Sequence, residues 1–258
     1  MSTQSFRAFL AGAGNWQPRS PWHPVLAVVA TIGIIVAGQI APIVLLAFLS
    51  GGDVRLAPSD PASGNSLFEA MEGAGASLLI FGQAALAMLT IGAASLFGGR
   101  FAEVLSLERP DSGLRGFLHS LLLMVPVLAI INALAYALSP GGFQSDFAQF
   151  AKLAHTPAPL AALLAVAVGA PLWEEMLFRG FLLAPLARPL GFWPAAVVVS
   201  GVWTVLHIGY SVAGLAEVFL IGLYFSWLLR RTGSLWVPIA CHGLYNAALF
   251  GVVRSWPL

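Results

Sequence analysis

The sequence predicts an all-α fold, a polytopic membrane helical bundle of about seven transmembrane helices within a range of six to eight. Three observations predict it. Apolar residues fill 59% of the 258 positions, and charged residues only 9%, where a soluble domain carries about 25% charge. Mean hydropathy is +0.86. The apolar residues gather into runs close to the about 20 residues that cross a bilayer core, without the alternation of a membrane barrel. This composition excludes a soluble globular enzyme, a disordered chain and a nucleic-acid binder, which needs basic clusters. The formal net charge of +1 points to no partner, and a single cysteine, Cys241, excludes an internal disulfide or a cysteine metal cluster.

The first run, Val25–Leu49, is too long for the apolar region of a signal peptide and ends at no clean cleavage site, so it reads as a span. Ala74–Phe97 and Phe117–Leu138 follow; these first three spans are nearly free of ionisable groups. Pro159–Ala187, Phe192–Ile208, Leu215–Leu229 and Leu235–Val253, the last interrupted by Pro238, complete the set. Ser50–Gly73 and Ser139–Ala158 are rich in Gly, Pro, Ser and acids and read as polar loops, the first with a surface helix around Leu67–Met71.

With the N-terminus in the cytoplasm, Arg7, Arg19, Arg100, Arg109, Arg115, Arg188, Arg230 and Arg231 fall inside. Arg55, Lys152 and Arg254 fall outside, and Arg179 lies within a span. This satisfies the positive-inside rule. Gln39, Gln83 and Asn132 read as interhelical hydrogen bonders, and Gly92, Gly98 and Gly99 as points of close helix approach. Trp193, Trp227, Trp236 and Trp256 read as interface anchors, Cys241 as packing and Glu217 as interfacial.

A charged group at mid-bilayer costs about 2.5–3.5 kcal/mol on insertion scales, so such groups persist where they pair or work. Glu174, Glu175 and Glu217 are the acids inside apolar runs, and His207 and His242 the histidines well inside spans. Glu175 and Arg179 stand at i, i+4 with the acid first, the favourable orientation for an ion pair. Glu174 points about 100° away around the helix and has no evident local cation, which suits a general base. The alternative is that both glutamates share Arg179 and only hold helices together. His207 lies as far beyond Gly191 as Glu174 lies before Leu190. At about 1.5 Å per residue, an antiparallel hairpin brings the two to similar depth, which makes His207 an acid–base candidate, the alternative being a satisfied core histidine. His242 and Asn246, also i, i+4, share a face and are two neutral donors suited to an oxyanion, or to interhelical hydrogen bonds.

Glu174-Glu175-x-x-x-Arg179, then Trp203-x-x-x-His207, then His242-x-x-x-Asn246, in successive spans, resembles the CPBP family of intramembrane glutamate proteases, also called the type II CAAX prenyl endopeptidase, bacteriocin-processing or Abi family. The resemblance implies two parts: residues 1–113, an N-terminal segment with two transmembrane helices and no motif, and residues 114–258, a CPBP/Abi-like catalytic membrane domain. It implies that Glu174 and His207 activate the attacking water and that His242 and Asn246 stabilise the tetrahedral oxyanion. Glu175 and Arg179 match supporting positions. Trp203 stands where the family pattern usually shows Phe; both are large aromatics that line a pocket.

The expected activity is that of an intramembrane endopeptidase, hydrolysing a peptide bond of a membrane-associated or prenylated peptide or protein without a cofactor. Serine chemistry fits poorly, because Ser200 sits in no G-x-S-x-G. H-E-x-x-H is absent, and zinc on Glu174, His207 and His242 is the metal alternative. Buried Glu and His also serve a proton-coupled transporter, although the first half of the chain holds no counterpart of the polar cluster. A non-catalytic membrane scaffold is the other alternative. The expected partners are the lipid bilayer and a membrane-associated substrate, with no nucleic acid. The expected location is the prokaryotic inner (cytoplasmic) membrane, as an integral protein with a cytoplasmic N-terminus.

Overall fold

A computed structural model describes residues 14, 16–49, 67–111 and 113–255, without the side chains of 67–74 and 149. Arg7, Arg55, Trp256 and positions 50–66 of the first long loop lie outside the described residues.

The helices are α1 (Pro24–Leu49), α2 (Leu67–Ala94), α3 (Gly113–Leu138), α4 (Pro140–Ala154), α5 (Pro159–Leu190), α6 (Phe192–Val205), α7 (Val212–Thr232) and α8 (Trp236–Ser255). No strand occurs among the described residues. Six helices (α1, α2 over Gly75–Ala94, α3, α5, α7 and α8) are long and apolar enough to cross a membrane, and α6 is a shorter apolar helix. The chain is therefore an integral, multi-pass, all-α membrane protein. The apolar composition makes the helices; burial sorts them. About half of the α7 span is buried (50%) and nearly as much of α5 (44%), against 11% of α1 and 17% of α3. α5 and α7 are thus central. Val25, Val29, Ile32 and Val36 of α1 stay exposed on one helical face, as a lipid-facing stripe requires.

Four expectations need correction. Ser139–Ala158 is not a loop: Pro140 occupies the first turn of α4, where its missing N–H costs nothing, and Phe143, Phe147 and Phe150 form an apolar stripe at helical spacing. The fifth span ends at Val205 rather than Ile208. Its 14 residues reach only about 21 Å at helical rise, short of the about 30 Å hydrocarbon core. The backbone from Leu206 to Ser211 leaves the helix and turns into α7. Gln39 is exposed, and Gln83 Oε1 is buried with no hydrogen-bond partner, so neither bridges helices as expected. Gly92 and Gly98 face open space.

Asn132 does join helices, donating from Nδ2 to Tyr245 Oη at 2.9 Å. Cys241 is buried. Leu67–Met71 is the first stretch of α2. α7 is closed at both ends by its own sequence: Ser211 Oγ accepts from Gly214 N at 3.0 Å, and Gly233 leaves the helix at φ 69°.

Candidate functional site

The site grows from a broken helix. Within α5, Ala165–Gly169 is wound in wide π turns, Ala170–Glu174 returns to α, and Glu175–Leu182 is wide again. π segments inside helices concentrate at functional sites. Here the break has a local cause. Ala170 N–H bonds Ala165 O across the wide turn, and the next position, Pro171, has no N–H. Val166 O is left without a backbone partner, and a buried carbonyl needs one. Asn246 Nδ2 of α8 supplies it at 2.8 Å. α8 approaches this closely because Gly243 carries no side chain; a Cβ there would stand 2.5 Å from Ala167 O.

The second wide segment carries the ion pair. Glu175 and Arg179 are completely buried, with Arg179 Nη1 to Glu175 Oε1 at 3.1 Å. His242 Nδ1 donates to the same Oε1 at 3.0 Å, and Phe225 stacks on its ring with centroids 5.0 Å apart. The Arg179 guanidinium lies 4.4 Å above the Trp203 ring, a cation–π contact. Gly222 of α7 makes room for it: a Cβ there would stand 2.9 Å from Arg179 Nη2 and 3.0 Å from Ser200 Oγ. Glu175 Oε2, Arg179 Nε and Nη2 and Ser200 Oγ are buried without hydrogen-bond partners. The i, i+4 spacing read from the sequence thus forms its pair, with His242 as a third member that the spacing did not announce.

Glu174 turns to a different environment. It is half-buried and accepts the Trp203 Nε1 hydrogen at 2.6 Å through Oε2. His207 Nδ1 contacts Trp203 O at 3.1 Å. A carbonyl only accepts, so Nδ1 carries the hydrogen, and Nε2 is the free nitrogen of the neutral ring. Trp203 thereby anchors Glu174 by its indole and His207 by its backbone.

Glu174, Trp203, His207, His242 and Asn246 line one cavity of about 290 Å³. Glu175 and Arg179 stand behind it and do not line it. Among the described residues, no three His, Cys, Asp or Glu side chains converge to hold a metal ion; Glu174, His207 and His242 share the cavity without forming such a ligand set.

The sequence reading missed the far wall. Phe143, Phe147, Phe150 and Asp146 of α4 face the five residues across the cavity. Asp146 fixes α4 to the start of α7, accepting from Ser211 N at 2.8 Å and Ser211 Oγ at 2.7 Å. The phenylalanine stripe was the available signal. Glu217, near the start of α7, also lines the cavity and accepts from Tyr245 Oη at 3.0 Å, within a network that reaches Asn132. Tyr210, in the loop after α6, also lines the cavity. Burial pushes its phenol above the ordinary value, and the carboxylates of Asp146, Glu174 and Glu217 push the same way.

Residues 156–248 are similar to the family described as "Rce1-like: Type II CAAX prenyl endopeptidase Rce1-like". A stretch of 89 residues is 35% identical to the "Uncharacterized 24.3 kDa protein" of Escherichia coli, covering 33% of this chain. The matched stretch spans 41% of that relative's length. No solved structure matches the chain.

Proposed function

We propose, from the similarity of residues 156–248 to the type II CAAX prenyl endopeptidase Rce1-like family, that this protein is an intramembrane endopeptidase that hydrolyses a peptide bond with water activated by Glu174 and His207. The observation that carries the reading is that both residues line one cavity and are held by the same residue, Trp203. A water between the Glu174 carboxylate and His207 Nε2 gives its proton to Glu174 as it attacks the substrate carbonyl. The proton then passes to the leaving amine.

His242 and Asn246 face the same cavity and are the proposed oxyanion donors. With Nδ1 committed to Glu175, His242 donates from Nε2 only as the imidazolium. Asn246 has one amide hydrogen on Val166 O and a second left for the cavity. The proposed catalytic unit is residues 114–258, and the segment before α1 braces it through Ser20 O and Trp22 O, which accept from Arg188 at 2.9 and 2.7 Å.

The test is cleavage of quenched membrane-peptide and prenyl-peptide substrates by detergent-purified protein, with and without a chelator. Chelator-resistant cleavage that is lost in Glu174→Ala and His207→Ala supports the reading. Loss on chelation with recovery on added zinc replaces it with a metalloprotease. A folded protein that cleaves no peptide returns the cavity to transport or scaffolding.

A further inference from the structure

We infer that the cavity opens on the extracytoplasmic side of the membrane, so that its substrate is a segment presented from that side rather than one delivered from the cytosol. The inference rests on reading the cavity as the site of hydrolysis, but its geometry stands apart from the chemistry.

The bundle has two distinguishable ends. At one, the α2–α3, α5–α6 and α7–α8 connections meet. Ser234 Oγ donates to Glu108 O at 2.5 Å, Leu235 N to Ser106 O at 2.8 Å and Asp111 N to Thr232 O at 3.0 Å. Arg188, near the end of α5, joins the same layer through Ser20 and Trp22. At the other end lie α4, the α6–α7 loop and the end of α8. Asp146 holds Ser211 there, and Arg254 Nη1 donates to Ala154 O at 2.6 Å.

Charge divides between these ends. Among the described residues, the first carries Arg19, Arg100, Arg109, Arg115, Arg188, Arg230 and Arg231, and the second only Lys152 and Arg254. Lys and Arg close to the ends of spans are retained on the cytoplasmic side. The first end is therefore cytoplasmic.

The cavity belongs to the second end. α4 forms one wall, Tyr210 and Gly214 border the α6–α7 loop, and Leu249 lies in the outer half of α8. Towards the first end the cavity is closed. Directly behind it lie buried Glu175, Arg179 and Phe225. Beyond them Phe178, Phe181, Leu105, Leu228, Leu229 and Leu235 pack with no exposed surface. A peptide coming from the cytoplasmic end meets this packed core, which interiors fill to crystal-like density. From the other end it meets α4, a single amphipathic helix with one apolar face on the cavity.

Cysteine accessibility tests the inference on the full chain in the membrane of expressing bacterial cells. Cys241 is the single native cysteine and is buried, so introduced thiols report cleanly. Ser145→Cys lies on the exposed face of α4, and Ser95→Cys just after α2; neither alters a charge. In intact cells, a membrane-impermeant maleimide is expected to label Ser145→Cys, and to label Ser95→Cys only after permeabilisation. The reverse pattern, equal labelling of both, or no labelling of Ser145→Cys until permeabilisation overturns the inference. The readout needs no enzymatic activity. If the expected pattern appears and purified protein hydrolyses no peptide, the proposed function fails while the orientation of the cavity stands.

Discussion

Trp203 donates its indole hydrogen to Glu174 Oε2 at 2.6 Å. Its ring lies under the Arg179 guanidinium, and its carbonyl holds His207. Trp203→Phe removes the first contact and keeps an aromatic ring for the second. A hydrogen bond to a charged group is worth about 1.5–3 kcal/mol, so kcat is expected to fall about ten- to hundredfold, with KM and Tm changed far less. Steady-state kinetics alongside thermal unfolding check this; a fall in Tm with kcat preserved would make Trp203 a packing residue.

Arg179→Ala leaves Glu175 buried with the ring N–H of His242 as its remaining side-chain partner among the described residues. Breaking a buried pair from one side costs about 3–5 kcal/mol. The variant is expected to be recovered poorly from detergent and to unfold at a much lower temperature. Size-exclusion profiles and Tm measure it.

Gly222→Ala places a methyl 2.9 Å from Arg179 Nη2 and 3.0 Å from Ser200 Oγ. Overpacking a filled interior typically costs about 1–3 kcal/mol. Gly201→Ala on α6 meets nothing within 4 Å and serves as the control. Tm is expected to drop for the first and hold for the second.

Asn246→Ala strands Val166 O beside Pro171. An unsatisfied buried acceptor costs about 1–3 kcal/mol. The variant is expected to lose stability as well as activity, and urea or thermal unfolding separates the two. Lost activity at unchanged stability would confine Asn246 to the oxyanion.

The spans were legible because a bilayer imposes a length and a composition that no tertiary contact can supply. The Glu175–Arg179 pair was legible because i, i+4 is a property of one helix. What the sequence hid lies between helices or in departures from 3.6-residue periodicity. Pro171 signals a disturbed helix, but that Asn246 repairs it depends on how α8 packs. α4 reads as a loop by its Gly, Ser and Pro, while Phe143, Phe147 and Phe150 fold it against the cavity. Helix α6 stops at Val205 although the apolar run continues through Ile208, and His207 lies in the turn that follows and lines the cavity. The bond of Glu217 to Tyr245 was not legible because its partner comes from a neighbouring helix.

The most direct measurement compares single-turnover cleavage by wild type and Glu174→Gln, in the presence of a chelator, with peptide binding measured on the same preparations. Glutamine keeps an oxygen for the Trp203 indole but cannot take the proton of water. The account predicts that both proteins bind peptide comparably and that the cleavage step falls by at least about a hundredfold in Glu174→Gln, within the range of general-base catalysis. Undiminished cleavage by Glu174→Gln would contradict it.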